Sequence, residues 1–283
     1  MRPSRQTSQR VAFAGLTVLA TVVVIPIVLV VVYIVTQGSG ALSWEFLTAM
    51  PQNGMKSGGI FPALVGTLIL TFGTALVSIP LALGAAIYLA EYAQDNWLTQ
   101  AIRLAIVNLA GIPSVVYGLF GLGLFVLFLR LGTSIVAGSL TLGLMTLPVV
   151  ISTAEEALSA VPGQFRVVSR SLGATRWQTI RHVVLPNALP GILTGVILGL
   201  ERAAGETAPI LFTVAAFYLP QLPSSAFDQT MALPYHLYVI STQVPGMPLR
   251  IQYGTALVLL LLVLGLDLTA TLIRSQYRRR RQW

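Results

Sequence analysis

The chain has 283 residues, of which 55% are hydrophobic and 9% are charged, and its mean hydropathy is +0.81. This composition is far more apolar than that of a soluble domain. Cysteine is absent, which excludes disulfides and thiolate metal sites. The net charge of +8 comes from arginines beside apolar runs, so it indicates a membrane protein rather than a nucleic-acid-binding protein.

Six apolar segments are long enough to span a membrane, which requires about 20 residues. They are residues 11–36, 61–90, 104–129, 135–154, 188–217 and 251–273. Basic residues precede the first segment as they do in a signal peptide, but its apolar run is longer than the roughly 7–15 residues of a signal sequence. We therefore expect an all-α, polytopic membrane protein with six transmembrane helices.

The positions of the basic residues predict the orientation of these helices. On one side of the membrane fall Arg2, Arg5, Arg10, Arg103, Arg166, Arg170, Arg176, Arg181, Arg274 and Arg278–Arg281. The opposite side has only Lys56, Arg130 and Arg250. Because basic residues accumulate in cytoplasmic loops, both termini are expected to be cytoplasmic, in a multi-pass protein surrounded by lipid.

Residues 155–186 form the only sizeable segment expected on the cytoplasmic side. Within it, residues 165–172 are predicted to form a helix, Gly173 permits a sharp turn, and residues 175–183 form a further helical piece that Pro186 ends. This arrangement would present Leu172, Ala174 and Trp177 to a groove in a partner. The simpler alternative is a basic loop that only obeys the charge rule.

Three charged residues interrupt the fifth apolar segment. Counted from Gly191, Arg202 lies about 16 Å along the helix, near the middle of a ~30 Å hydrocarbon core. Arg202 and Glu206 share a helix face, whereas Glu201 is turned away by about 100°. Two interpretations stay open: a structural ion pair, or a polar pathway in which the arginine guides an anion.

Residues 231–243 are predicted to form a helix at the membrane interface, anchored by Tyr235 and Tyr238. His236 lies in this stretch without a second histidine or a carboxylate cluster nearby, so we expect no metal site. A P-loop is also missing, since the single lysine, Lys56, does not follow a glycine. The chain is therefore expected to have no catalytic site and no cofactor of its own.

The segment 155–186 resembles the EAA loop through which permeases of binding-protein-dependent ABC importers contact their ATPase. Gly173 matches the glycine of that loop, Val183 its aliphatic position, and Leu185-Pro186 its closing pair. Val167 departs from the pattern, because it stands where the family has a glutamate. The resemblance implies that the ATPase is contacted by Leu172, Gly173, Ala174, Trp177, Leu185 and Pro186.

Three further segments narrow the resemblance to PstA, the A-type permeases of phosphate-specific ABC transporters. They are residues 111–119 (GIPSVVYGL), 200–213 (LERAAGETAPILFT) and 233–238 (LPYHLY). The resemblance implies one transmembrane domain, 1–283, with the MetI-like fold of importer permeases. It also implies half of a phosphate pathway in which Arg202, Glu206 and Glu201 take part.

The family has defined partners, which the resemblance extends to this chain. They are a companion C-type permease, two ATP-binding subunits that hold ATP and Mg, and an extracytoplasmic phosphate-binding protein. Two rivals remain: a permease for another oxyanion such as sulfate or molybdate, and a membrane signalling or scaffold protein. ATP-dependent uptake separates transport from sensing, and competition between phosphate and sulfate separates the substrates.

The orientation leads to a labelling prediction, which the absence of native cysteine makes simple to test. Cysteines introduced at Ser4 and Gln282 should react with an impermeant maleimide only from the cytoplasmic side, and one at Ser225 only from outside. Labelling of the Ser225 variant from the cytoplasm would contradict the six-helix topology.

Overall fold

A computed structural model describes residues 5–279 of the chain, and most of these residues are helical. In chain order the helices are α1 (Arg5–Gly38), α2 (Trp44–Thr48), α3 (Phe61–Ile87), α4 (Trp97–Ala110), α5 (Ser114–Gly121), α6 (Ile135–Ser159), α7 (Gly163–Ser171), α8 (Arg176–Thr179), α9 (Leu185–Gly205), α10 (Ala208–Thr213), α11 (Leu233–Thr242) and α12 (Leu249–Arg279). The topology prediction also used Arg2, Ser4, Arg280, Arg281 and Gln282, which lie outside the described residues.

Other local structure completes these helices. Two short strands, β1 (Pro51–Gln52) and β2 (Ser57–Gly58), pair antiparallel before α3 begins. A π-helical turn at Tyr88–Tyr92 extends α3, and another at Leu122–Phe128 extends α5. A third, Ile180–Val184, joins α8 to α9 without a break.

Within residues 5–279, five helical segments are long and apolar enough to cross a membrane. They are Phe13–Ala41, Phe61–Tyr92, Ile135–Ser159, Arg176–Gly205 and Leu249–Thr269. The helix α4 and the helix α5 with its extension pass the same test only when they are taken together as a sixth span, either broken or re-entrant, and they meet at an angle of 103°. The predicted helical class is confirmed, but two of the six expected spans differ in shape.

The third expected span, 104–129, is not one helix, because the chain turns sharply between Ala110 and Ser114. Pro113 disfavours a helical conformation in the residue before it. The hydroxyl of Tyr117 donates a hydrogen bond across the bend to the carbonyl of Leu109 (2.9 Å). A break in a spanning segment is stable only where such contacts satisfy the backbone, and this hydrogen bond supplies one of them.

The fifth expected span, 188–217, is also wrong at both ends. Its helix begins at Arg176 and stops at Gly205, where Glu206 takes an extended backbone conformation (φ −74°, ψ 137°). Hydropathy does not mark this break, because residues on both sides of it are apolar. The short helix α10 follows and packs closely against Gly118 of α5, where an added Cβ would lie 2.9 Å from the Cα of Pro209.

The helix α6 is the centre of the bundle. In the most apolar stretch of α6, 67% of residues are buried, whereas in the corresponding stretch of α1 none are. The helix α9 crosses α6 through Gly191, Gly195 and Gly199, where an added Cβ would collide with α6 side chains. Small residues at four-residue spacing let two membrane helices approach this closely.

One face of the helix α11 packs inside the bundle, so Tyr235 is not the exposed anchor that the sequence predicted, whereas Tyr238 is 45% exposed. Its first residues, Leu233 to His236, are buried, and the amide of Leu233 donates to the hydroxyl of Thr67 in α3 (2.8 Å). Burial lowers the pKa of His236 to about 4, so the imidazole is neutral at physiological pH. The first half of the helix therefore contributes to the core of the bundle.

A glycine in α3 tests this buried position of α11. Gly66 lies against the carbonyl of Met231, and an added Cβ would overlap that oxygen, whereas the space around Gly84 in the same helix is open. Gly66→Ala should therefore destabilise the protein by about 1–3 kcal/mol, as overpacking of a core does. Gly84→Ala should be neutral or slightly stabilising. Thermal unfolding in detergent measures both, and equal midpoints would contradict the packing on α3 of Met231, in the segment that leads into α11.

Candidate translocation and coupling sites

The segment 155–186 folds as a helix, a turn and a second helix. The turn is at Gly173, whose φ of +84° lies in the left-handed region that side chains disfavour. The amide of Gly173 donates to the carbonyl of Arg170 (3.0 Å), and that of Ala174 donates to Ser169 (3.3 Å). Thr175 and Gln178 then form a capping box that starts α8.

The expectation that Pro186 ends a short helix is wrong. The chain is helical from Arg176 to Gly205, and Pro186 lies inside this continuous run. The π-helical turn Ile180–Val184 immediately precedes the proline and alters the backbone pairing there. Since a proline lacks an N–H and crowds the preceding turn, the wider π-helical turn is where the helix accommodates it.

The six residues predicted to contact an ATPase divide by exposure. Leu172 is 84% exposed and Trp177 is 52% exposed, which is unusual for large apolar side chains. Ala174, Leu185 and Pro186 are half-buried, and the space around Gly173 is open. An open groove beside the turn is lined by Gln164, Phe165, Val168, Ser169, Leu172, Ala174 and Val183. The loop thus combines a projecting apolar tip with an adjoining groove.

Val167, at the position of the absent glutamate, is 62% exposed on the outer face of α7. Its neighbour Val168 is 59% exposed. The face that would carry an acidic residue in the family pattern is therefore apolar here.

Arg202 and Glu206 come together at the end of α9. The Nε atom of Arg202 lies 3.3 Å from Oε1 of Glu206, in a contact that uses one edge of the guanidinium. Among the residues that the structure describes, Glu206 is the only hydrogen-bond partner of Arg202. The arginine side chain is 38% exposed and the glutamate 16%. Neither terminal nitrogen of the guanidinium makes a hydrogen bond to Glu206.

The pair lies inside the span although α9 ends there. We call the end of the bundle that carries α7 the loop end. The helices α3 and α6 begin at the opposite end. Gly199 packs against Thr146, and Glu206 borders a small cavity with Leu142. At ~1.5 Å per residue these two α6 residues lie about 10–16 Å from the start of α6. Arg202 therefore lies part-way along α6 but in the last turn of α9, rather than in the middle of a helix, and its depth in the membrane stays a prediction.

Glu201 is separated from this pair. Its Oε1 atom is buried and has no hydrogen-bond partner within residues 5–279. It lies within electrostatic range of Asp267 in α12, a helix that packs against α9. The structure thus brings together two of the three predicted pathway residues and places the third on another face.

The three segments that carried the narrower resemblance meet in space. Tyr117, Ala203, Ile210, Leu233 and Tyr235 belong to one buried apolar cluster. Sequence reasoning did not single out Tyr117, which closes the α4–α5 bend and is within electrostatic range of Arg202. The available signal was a tyrosine within the apolar helix that follows the Gly-Ile-Pro sequence of residues 111–113.

Comparison with known proteins identifies the family. Residues 78–282 match the family described as "Binding-protein-dependent transport system inner membrane component". The "Probable ABC transporter permease protein YqgI" of Bacillus subtilis is 35% identical and covers 84% of this chain and 85% of its own length. The "Phosphate transport system permease protein PstA 1" of Mycobacterium tuberculosis strain H37Rv is 37% identical, covering 80% of this chain and 73% of its own.

A solved structure agrees with the fold. The bacterial alginate ABC transporter, in complex with its alginate pentasaccharide-bound periplasmic protein, has a chain that superposes with a TM-score of 0.68 at 15% identity. The superposition covers 94% of each chain. With the match of the family model to most of the sequence, this places the bundle among the importer permeases. The chain belongs to the family of binding-protein-dependent transport system inner membrane components and is a membrane subunit of an ABC importer.

Proposed function

We propose that this chain forms half of the membrane pathway of an ATP-driven phosphate importer. The observation that carries the proposal is Arg202, a guanidinium inside the span whose terminal nitrogens are not engaged by Glu206. The relative named as a phosphate transport permease supports the choice of substrate. The chain holds no ATP of its own in this proposal.

The exposure of Arg202 supports a pathway role. An arginine facing lipid at this depth would cost at least about 2.5–3.5 kcal/mol. The exposed 38% of its side chain is therefore better placed against a polar route or a companion subunit. A guanidinium stays charged at all relevant pH values, and its planar fork matches two oxygens of a phosphate.

In this proposal Glu206 keeps the binding of phosphate to Arg202 weak. A fixed, unopposed arginine would retain an anion, whereas a carboxylate 3.3 Å from Nε competes for the same charge. Phosphate would then bind weakly at this point and pass on. Selectivity would rest mainly on an extracytoplasmic phosphate-binding protein that delivers the substrate. Sulfate or molybdate offers the same tetrahedral oxygens, so competition in the uptake assay is needed to distinguish them.

The proposal also assigns ATP-binding subunits and a companion permease as partners of the chain. We infer that Leu172, Gly173, Ala174 and Trp177 dock into an ATP-binding subunit, with Leu185 and Pro186 maintaining the helix behind them. Two such subunits would hold ATP and Mg, and a companion C-type permease would complete the pathway. In this arrangement the loop end and both termini are cytoplasmic. ATP-dependent phosphate uptake by the reconstituted complex tests the whole proposal, and a signalling or scaffold protein would show none.

The charged pair provides the sharper test. Arg202→Gln should reduce ATP-dependent phosphate uptake by about tenfold or more, because a hydrogen bond to a charged group is lost together with the fixed charge. Arg202→Lys should retain a fraction of the rate, since an ammonium keeps the charge without the fork. Uptake into proteoliposomes is the measurement, with Arg130→Gln, an arginine outside the spans, as the matched control.

The double variant Arg202→Gln/Glu206→Gln distinguishes a pathway from a structural pair. If the pair were only structural, removing both charges would be tolerated better than removing one, because no unpaired charge would remain in the span. We expect the double variant to be as inactive as Arg202→Gln. Transport near the wild-type rate would contradict the pathway role.

The turn at Gly173 tests the docking of the loop. Gly173→Ala should weaken co-purification with the ATP-binding subunit, because alanine in a left-handed conformation costs roughly 1–2 kcal/mol. Gly163→Ala is the matched control, as its surroundings are equally open and it carries no positive φ. Gly173→Asn, which tolerates this conformation better, should be intermediate if backbone strain alone matters. Undiminished co-purification of Gly173→Ala would contradict the docking assignment.

A further inference from the structure

Arginines converge on the last turn of the α3 span, at the loop end. The guanidinium of Arg103 donates to the carbonyl of Leu89 (3.2 Å), and that of Arg176 donates to the carbonyl of Glu91. Arg176 also lies over the ring of Tyr92, 4.7 Å from its centroid. The last carbonyls of a helix lack intrahelical partners, and cationic side chains satisfy them favourably. The three residues of α3 named here belong to its π-helical turn.

Arg166 of the loop makes the most extensive contact with this turn. Its Nη2 atom lies 2.6 Å from Oε1 of Glu91, and its Nε atom lies 3.0 Å from the same oxygen and 3.3 Å from Oε2. The side chain of Arg166 is 16% exposed and that of Glu91 is 7% exposed. This is a fork-shaped, charge-assisted pair between residues that are 75 positions apart in the chain.

The same guanidinium also closes the end of α6. Nη2 of Arg166 donates to the carbonyl of Leu158 (2.8 Å), and Nη1 donates to the carbonyl of Val161 (2.6 Å). One side chain of α7 therefore holds the ends of both α3 and α6. These two helices pack on α9, which carries Arg202 at its other end.

We propose that Glu91 and Arg166 form the joint through which movement of α7 is transmitted to α3 and α6. The inference rests on the proposed docking of the loop to an ATP-binding subunit, and it makes Glu91 a positioning residue for coupling. The loop has no carboxylate at position 167, and the acidic partner of Arg166 comes instead from the end of a spanning helix. Arg176, held on Glu91 and Tyr92, fixes the second half of the loop to the same turn.

A pair that only stabilised the fold would have a different consequence from a joint. Loss of a fold-stabilising contact lowers the amount of intact protein and reduces hydrolysis and transport together. Loss of a joint leaves the complex assembled and hydrolysing ATP, while less substrate moves per ATP consumed. The ratio of phosphate transported to ATP hydrolysed therefore separates the two cases.

The test uses the whole transporter reconstituted in proteoliposomes with its binding protein. Glu91→Gln should assemble and hydrolyse ATP while the transport-to-hydrolysis ratio falls by about 2- to 30-fold, the range of typical coupling mutations. Arg166→Lys should give an intermediate ratio, because lysine keeps the charge but cannot reach the carboxylate and two carbonyls at once. Glu156→Gln is the matched control, as Glu156 is an exposed carboxylate of α6 near the same end.

A second readout does not depend on activity. Hydrogen exchange of the purified chain should show faster exchange of α7 amides in Glu91→Gln than in Glu156→Gln. A wild-type ratio in Glu91→Gln, or an equal loss of hydrolysis and transport, would overturn the joint while leaving the proposed function intact. Absence of ATP-dependent uptake by the wild-type complex would instead overturn the proposed function and the joint with it.

Discussion

The close contact of α6 with α3 and α9 is the constraint on which the rest of the molecule depends. Glycines at four-residue spacing bring the backbone of α9 against α6, and α3 lies along another face of the same helix. Apolar side chains gain little from meeting each other in lipid, so packing at this distance has to supply the stability. The fixed distance also sets the depth of Arg202 and the position of the α3 and α6 ends.

Two interruptions of the expected spans are held by contacts with neighbouring elements. The bend before α5 is closed by Tyr117 and Leu109, and the interruption at Glu206 lies beside α3, α6 and α11. Backbone groups without partners are not tolerated in hydrocarbon, so contacts of this kind are needed at each interruption. Each interruption also brings a polar side chain into the span, and Glu206 is one of them.

The sequence was sufficient for the number and class of the spans, because hydropathy over about 20 residues is a strong signal. It was insufficient for the limits of α9, since Glu206 interrupts a run that is apolar on both sides, and Pro186 suggested an end where a π-helical turn carries the helix onward. The buried position of α11 was missed because tyrosines suit both an interface and a core. The spacing of Gly191, Gly195 and Gly199 was a readable signal of close packing that was not used.

How well each candidate site could be predicted depends on how far apart its residues are in the sequence. Arg202 and Glu206 are four apart, so local geometry alone places them together. Glu91 and Arg166 are 75 positions apart, and nothing in their local sequence indicates that they meet. The arginines at the loop end look like an orientation signal, yet Arg103, Arg166 and Arg176 each bind backbone or carboxylate oxygens at helix ends. A charge rule predicts their side of the membrane, but only the packing of the helix ends at the loop end explains their partners.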